Sequence, residues 1–167
     1  PWGIKFRRMF DQTNDAELFR EAETLKEEGF KLKGNRWVNG KQTYLPLYEG
    51  KMIQMCDHRA AGIVTDQANW VRQGQTEATT VTKWQNPEYL AMPRFWVQST
   101  DVEQQLGGTH AHFFAYKGVT SPTNQRTMIA ALVPFAGVVN SAPPEFSSGS
   151  RRRECCLLAN ANSLIYD

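Results

Sequence analysis

A chain of 167 residues is long enough for one domain with a core of its own and no staples. It contains no apolar run of bilayer-spanning length and no signal-peptide pattern, and its three cysteines (Cys56, Cys155, Cys156) lack framework spacing, which argues against a secreted disulfide scaffold and for a reducing cytoplasm. A net charge of +2 neither demands nor forbids a nucleic-acid partner, because a local basic face decides that.

In chain order, Asn14 or Asp15 is predicted to cap a helix running to about Glu28, with Leu18, Ala22 and Leu25 on one face and Gly29 as its stop. "FKLKGNRWVNGKQTYLPLY" alternates apolar and polar residues, and Asn39-Gly40 signals a hairpin. Pro46 is expected at an edge or bulge, since it cannot donate to a ladder. Residues 60–80, rich in Gln and Thr, read as a long loop or irregular strands. "RFWVQ" (94–98) reads as a strand, and Thr100 with Glu103 as a capping box for a helix ending at Gly107-Gly108. "THAHFFAYKGV" and "RTMIAALVPFAGVV" are two further strands, the second apolar enough to be central. "SAPPEFSSGS" reads as a surface loop. A last helix begins near Arg153, with Leu157, Leu158, Ala161, Leu164 and Ile165 at helical spacing, after the basic run Arg151 to Arg153, a solvated face. The predicted class is α+β: a twisted mixed or antiparallel sheet with a few flanking helices, in a single domain over 1–167. The abrupt Pro1-Trp2 start and the end at Asp167 after an apolar helix-like stretch suggest a piece of a larger protein.

Three chemistries compete with structural roles for the same residues. Cys56-x-His58, His110-x-His112 and Cys155-Cys156 supply zinc-ligand types but not the paired spacing of a zinc module, so the histidines are expected to be satisfied by backbone or solvent. A small metal-dependent hydrolase remains the third reading of the chain. Neither a nucleophile motif nor a phosphate-binding glycine loop is present. "QNPEY" (85–89) resembles the Asn-Pro-Pro-aromatic turn of adenine methyltransferases, but Glu88 replaces the second proline and no cofactor turn precedes it, so it reads as a plain Asn-Pro turn.

"LPLYEGKMIQMCDHR" (45–59) resembles a signature found downstream of the catalytic core in large adenine-specific DNA methyltransferases of restriction-modification and phage-defence systems. In these type IIG-like proteins, methylase and specificity segments share one polypeptide. "FRRMFDQTNDAELFREAETLKEEGF" (6–30), "PRFWV" (93–97), "TNQRTMIAALVP" (123–134) and "LLANANSLIYD" (157–167) are similar to its other segments in the same order. Gln125 stands where Glu is common, and Met55-Cys56 replaces a polar-plus-Phe pair. Residues 60–85 match no segment, as suits a stretch that changes with the target.

The resemblance implies a target-recognition region like the specificity subunits of type I systems, binding double-stranded DNA. The methyltransferase core of the same polypeptide, with its S-adenosylmethionine pocket, would lie upstream; no cofactor and no catalytic residue is expected in this fragment. Lys51, His58, Arg59 and Arg126 are the candidate phosphate or guanine contacts, with Asn124 and Thr127 flanking Arg126. In the unmatched stretch Gln67, Asn69, Arg72, Gln73 and Gln75 carry base-reading groups. The competing reading makes Asp57, Arg59 and Arg126 a clamp between strands, and Trp37, Trp70, Trp84 and Trp96 core or rim packing. A second function class is an interdomain module that docks the methylase core without touching DNA.

Overall fold

The structure is a computed structural model that describes residues 3–66, 68, 71–107, 112–146 and 150–165. It is α+β, as the periodicities require, with two principal sheets. The first has the order β1 (Lys5–Phe6), β12 (Pro144–Phe146), β9 (His112–Tyr116), β10 (Ala130–Pro134), all antiparallel. The second runs β2 (Phe19–Arg20), β8 (Trp96–Gln98), β5 (Gln42–Tyr48), β4 (Arg36–Asn39), β3 (Lys31–Lys33), with β11 (Gly137–Val138) joining β5 in parallel. A separate ribbon pairs β6 (Ala61–Ile63) with β7 (Thr76–Ala78).

Alternation along the strands explains the layering. Phe113, Ala115, Ala131 and Val133 of the first sheet meet Leu45, Leu47 and Val97 of the second in one core. The opposite face of the first sheet, through Phe114 and Ala130, is covered by Leu158 and Ala161 of α4 (Arg151–Ala161). The opposite face of the second carries Trp37, Tyr44 and Trp96 against Leu25 of α1 (Ala22–Glu27). α2 (Val81–Gln85) follows the β6–β7 ribbon, and α3 (Ser99–Leu106) buries Val102 and Leu106 in the main core. Among the described residues no helix is long and apolar enough to cross a membrane.

The helix expected from residue 14 or 15 is broken: Ala16–Leu18 is a 3₁₀ turn, and Phe19–Arg20 pairs with β8, because Phe19 is held between Phe10 and Phe95 at ring separations of 6.0 and 6.1 Å. Only Ala22–Glu27 is helical before Gly29, whose φ of +81° ends it. The hairpin forms one residue later than Asn39-Gly40 suggests. Asn39 still pairs with Gln42, and Gly40-Lys41 makes the two-residue turn, with only the glycine at positive φ. Pro46 lies inside β5, buried, rather than at an edge; the register places it just past the start of β4, so its missing N–H costs no ladder bond.

β10 is the outer strand of its sheet, not a central one; it is apolar because the core and α4 cover its two faces. The "SAPPEFSSGS" loop contains β12, drawn into the sheet between β1 and β9. α3 starts at Ser99 with no side-chain cap, and α4 ends at Ala161, leaving Leu164 and Ile165 exposed.

Candidate nucleic-acid interface

Leaving β5, the chain makes a 3₁₀ turn over Gly50–Met52 that buries Met52 and Ile53 completely. Gly50 is required there: a Cβ would lie 2.2 Å from the carbonyl oxygen of Ser141, whose Oγ accepts the Gly50 N–H at 3.0 Å. The chain then turns sharply at Cys56, the one described non-glycine residue with positive φ (58°), and the Cys56 N–H donates to the Ala130 carbonyl at 2.9 Å. Asp57 closes a local turn by accepting the Arg59 N–H through Oδ1 at 2.7 Å.

The Arg59 guanidinium donates to three main-chain carbonyls, Trp84 and Asn86 at 3.2 Å and Tyr89 at 3.3 Å, and the Thr79 hydroxyl donates to the Arg59 carbonyl. Arg59 therefore ties the signature stretch to α2 and to the Asn-Pro turn, where Asn86 Oδ1 accepts the Glu88 N–H at 3.0 Å. His58 packs edge-on to Tyr48 at 6.2 Å, beside a cavity of about 40 Å³ that Trp96 also lines. Burial holds the His58 imidazole below its ordinary pKa, with Asp57 pulling it up and Arg59 pushing it down; burial also raises the Tyr48 hydroxyl.

A second junction closes on β10. Asn162, buried after the end of α4, accepts the Ala130 N–H through Oδ1 at 3.1 Å. Its Nδ2 donates to the Ala130 carbonyl at 3.0 Å and to Cys56 Sγ at 3.4 Å. Arg126 donates to the carbonyls of Asn162, at 3.0 Å, and Ser163. Three of the signature-like stretches (45–59, 123–134 and 157–167) thus converge on the outer edge of β10. That edge would otherwise present unpaired backbone groups.

The open side of the molecule differs. Gln12, Glu49, Lys51, Lys117, Ser121, Asn124 and neighbouring residues line an open cleft of about 400 Å³. Lys51 Nζ lies 3.0 Å from Glu49 Oε2 and donates to the Gly74 carbonyl at 2.8 Å. It thereby ties the turn that leads into β7 to the side of the cleft. Arg72, Gln73 and Gln75 stand exposed on that turn, and the Gln75 N–H closes it on the Arg72 carbonyl. The Lys117 ammonium has no hydrogen-bond or ion-pair partner among the described residues, and burial lowers its pKa.

Of the residues singled out in the sequence, Lys51 and Asn124 share the cleft; Arg72, Gln73 and Gln75 flank Gly74, which Lys51 holds, and Gln73 lines a separate pocket with Glu21, Ala22 and Arg94. His58, Arg59 and Arg126 sit in the scaffold, engaged as described, and Thr127 is exposed ahead of β10. Gln67, Asn69, Trp70 and His110 lie outside the described residues. Trp37 and Trp96 are core, edge to face at 6.1 Å, and Trp84 is half-exposed on α2. Among the described residues no three His, Cys, Asp or Glu side chains come together as a metal site. Lys117 and Asn162 were missed. The first was legible as a cation directly after an apolar strand, whereas the second is an amide indistinguishable in sequence from Asn160. No protein-family model matches the chain, and no curated protein or solved structure is significantly similar to it.

Proposed function

We propose that this chain is a DNA target-recognition module of an adenine-N6 DNA methyltransferase of the restriction-modification or phage-defence kind. It holds double-stranded DNA in the cytoplasm while a methyltransferase core of the same polypeptide, carrying S-adenosylmethionine, performs the chemistry. The observation that carries this reading is the cleft. Lys51 and Lys117 face an open groove, and Lys51 also anchors the loop that displays Arg72, Gln73 and Gln75. Cations along a groove suit phosphates, and exposed amide and guanidinium groups on a neighbouring loop suit base edges. The scaffold supports the same division of labour, because the stretches carrying the resemblance at 45–59, 123–134 and 157–167 are tied together by Cys56, Arg126 and Asn162. The stretch that matches nothing supplies the loop.

The test is binding of the intact chain to labelled duplexes across a salt series. The log of the association constant should fall with log salt by about 0.9 per phosphate neutralised. An affinity unchanged by salt would remove the electrostatic grip.

A second reading, an interdomain module that docks the methylase core, is favoured by Val81 and Trp84. They lie three residues apart on α2, and 71% and 54% of their surfaces are exposed. Exchanging residues 60–85 in the parent enzyme separates the two. Altered target preference supports recognition, and a uniform loss of activity on all targets supports docking.

A further inference from the structure

The ribbon formed by β3 and β4 carries positive charge with no acidic residue to balance it. From Gly29 to Tyr48 the sequence has four cations, Lys31, Lys33, Arg36 and Lys41, and neither Asp nor Glu. The rest of the chain then holds 15 cations against 17 carboxylates, so the overall +2 arises wholly from this segment. Alternation places Lys31 and Lys33 on one face of β3, and the register sets Arg36 directly across from Lys33. All three are exposed, and among the described residues none has an ion-pair or hydrogen-bond partner.

Folding alone gives no reason for this arrangement. Like charges directly opposite one another in a sheet, as Lys33 and Arg36 are, are unfavourable. The ribbon's other face is well anchored, with Trp37 in the cluster of Leu25, Phe30, Tyr44 and Trp96. Two-residue turns beginning at Gly34 and Gly40, both at φ +57°, hold it tight. The cations therefore project from a rigid two-stranded element, and a ribbon of this kind is narrow enough to lie against or within the major groove.

We propose that the β3–β4 ribbon is a phosphate-contacting surface, laying Lys31, Lys33 and Arg36 along the sugar–phosphate backbone of duplex DNA. This rests on the DNA-recognition reading and adds to it a second site, which positions the duplex without reading its sequence.

The test is the triple variant Lys31→Gln/Lys33→Gln/Arg36→Gln of the intact chain, titrated with target and scrambled duplexes over a salt series. These side chains are exposed, so the fold should persist; Arg36→Gln alone serves if the triple variant unfolds. The slope of log affinity against log salt should fall by about one per cation removed, about three in all, equally for both duplexes. For Arg36→Gln alone the expected fall is about one. If the slope is unchanged while the variant self-associates, the lysines only guard a sheet edge, and the ribbon proposal fails while the recognition reading stands. If the wild-type chain binds no duplex at all, both fail.

Discussion

The junction at Ala130 and the cleft at Lys51 are built from similar material, short polar stretches beside buried strands, yet their polar atoms meet different partners. At the junction, Asn162, Arg126 and Cys56 spend their hydrogen bonds on main-chain groups of Ala130, Asn162 and Ser163. At the cleft, the Lys117 ammonium, and Arg72 and Gln73 on the adjoining loop, face outward. A side chain whose partners are backbone atoms holds the fold, and replacing it leaves those atoms unpaired. A cation with no partner contributes little to folding and is free for a ligand. The two regions should therefore respond oppositely to mutation, one losing stability and the other binding.

The largest effect is expected at Gly50, where scaffold and cleft meet. In Gly50→Ala the new methyl would stand 2.2 Å from the Ser141 carbonyl oxygen, which is backbone and cannot swing away. The cost should exceed that of ordinary side-chain overpacking, at about 3 kcal/mol or more. Thermal unfolding should show it as a Tm lowered by roughly 6 °C or more for a domain of this size. An unchanged Tm would mean the two segments part easily and the scaffold is not rigid there. Next comes Asn162→Ala, which strands the buried Ala130 N–H and should cost about 2 kcal/mol in urea unfolding. Duplex affinity of the folded fraction should stay at the wild-type value; a loss of binding without a loss of stability would move Asn162 from scaffold to interface.

The sequence revealed the α+β class, the hairpin near Asn39-Gly40 and the strands at 96–98, 112–116 and 130–134, because their apolar residues face a core on one side or, for 130–134, on both. It misled wherever tertiary contacts overrode a local signal. Leu18, Ala22 and Leu25 have helical spacing, yet pairing of the intervening Phe19 to Val97 pulls the chain into a strand there. Pro143-Pro144 reads as a loop, yet Pro144 heads a strand that fits between β1 and β9. At the candidate site, Lys51 and Asn124 were legible as polar groups bordering strands, but their meeting across 73 residues of chain was not. Asp57 was expected to pair with Arg59 or Arg126 through charge. Instead its carboxylate accepts the Arg59 main-chain N–H, a local bond that composition does not disclose.

A matched pair of substitutions sharpens the contrast at intermediate effect. Arg59→Ala removes three donations to the carbonyls of Trp84, Asn86 and Tyr89 and should cost about 1.5 kcal/mol, discounted for partial exposure. Lysine should not restore it, since one ammonium cannot span the positions the planar fork reaches. Lys117→Gln should leave stability within about 0.5 kcal/mol and reduce the salt slope of duplex binding by about one. Equal stability losses in the two variants would erase the distinction between junction and cleft.

The smallest effect concerns pH. Burial depresses the His58 pKa below 6.5, so the folded state resists the proton that the unfolded chain accepts. The contribution is complete above pH 6.5. It declines as pH drops below that value, because the unfolded chain then binds more protons, and it levels off once pH passes below the folded pKa. Glu145 acts with the opposite sign. Its buried carboxyl has a raised pKa, so the folded state takes up the proton first and gains stability as pH falls toward 4.5. Urea midpoints of wild type and His58→Gln between pH 7.5 and 5 separate the two, since only the decline beginning near 6.5 should vanish in the variant. If both proteins lose stability in parallel across that range, His58 is not held neutral by its place between Tyr48 and Arg59, and some other group of the scaffold carries the pH dependence.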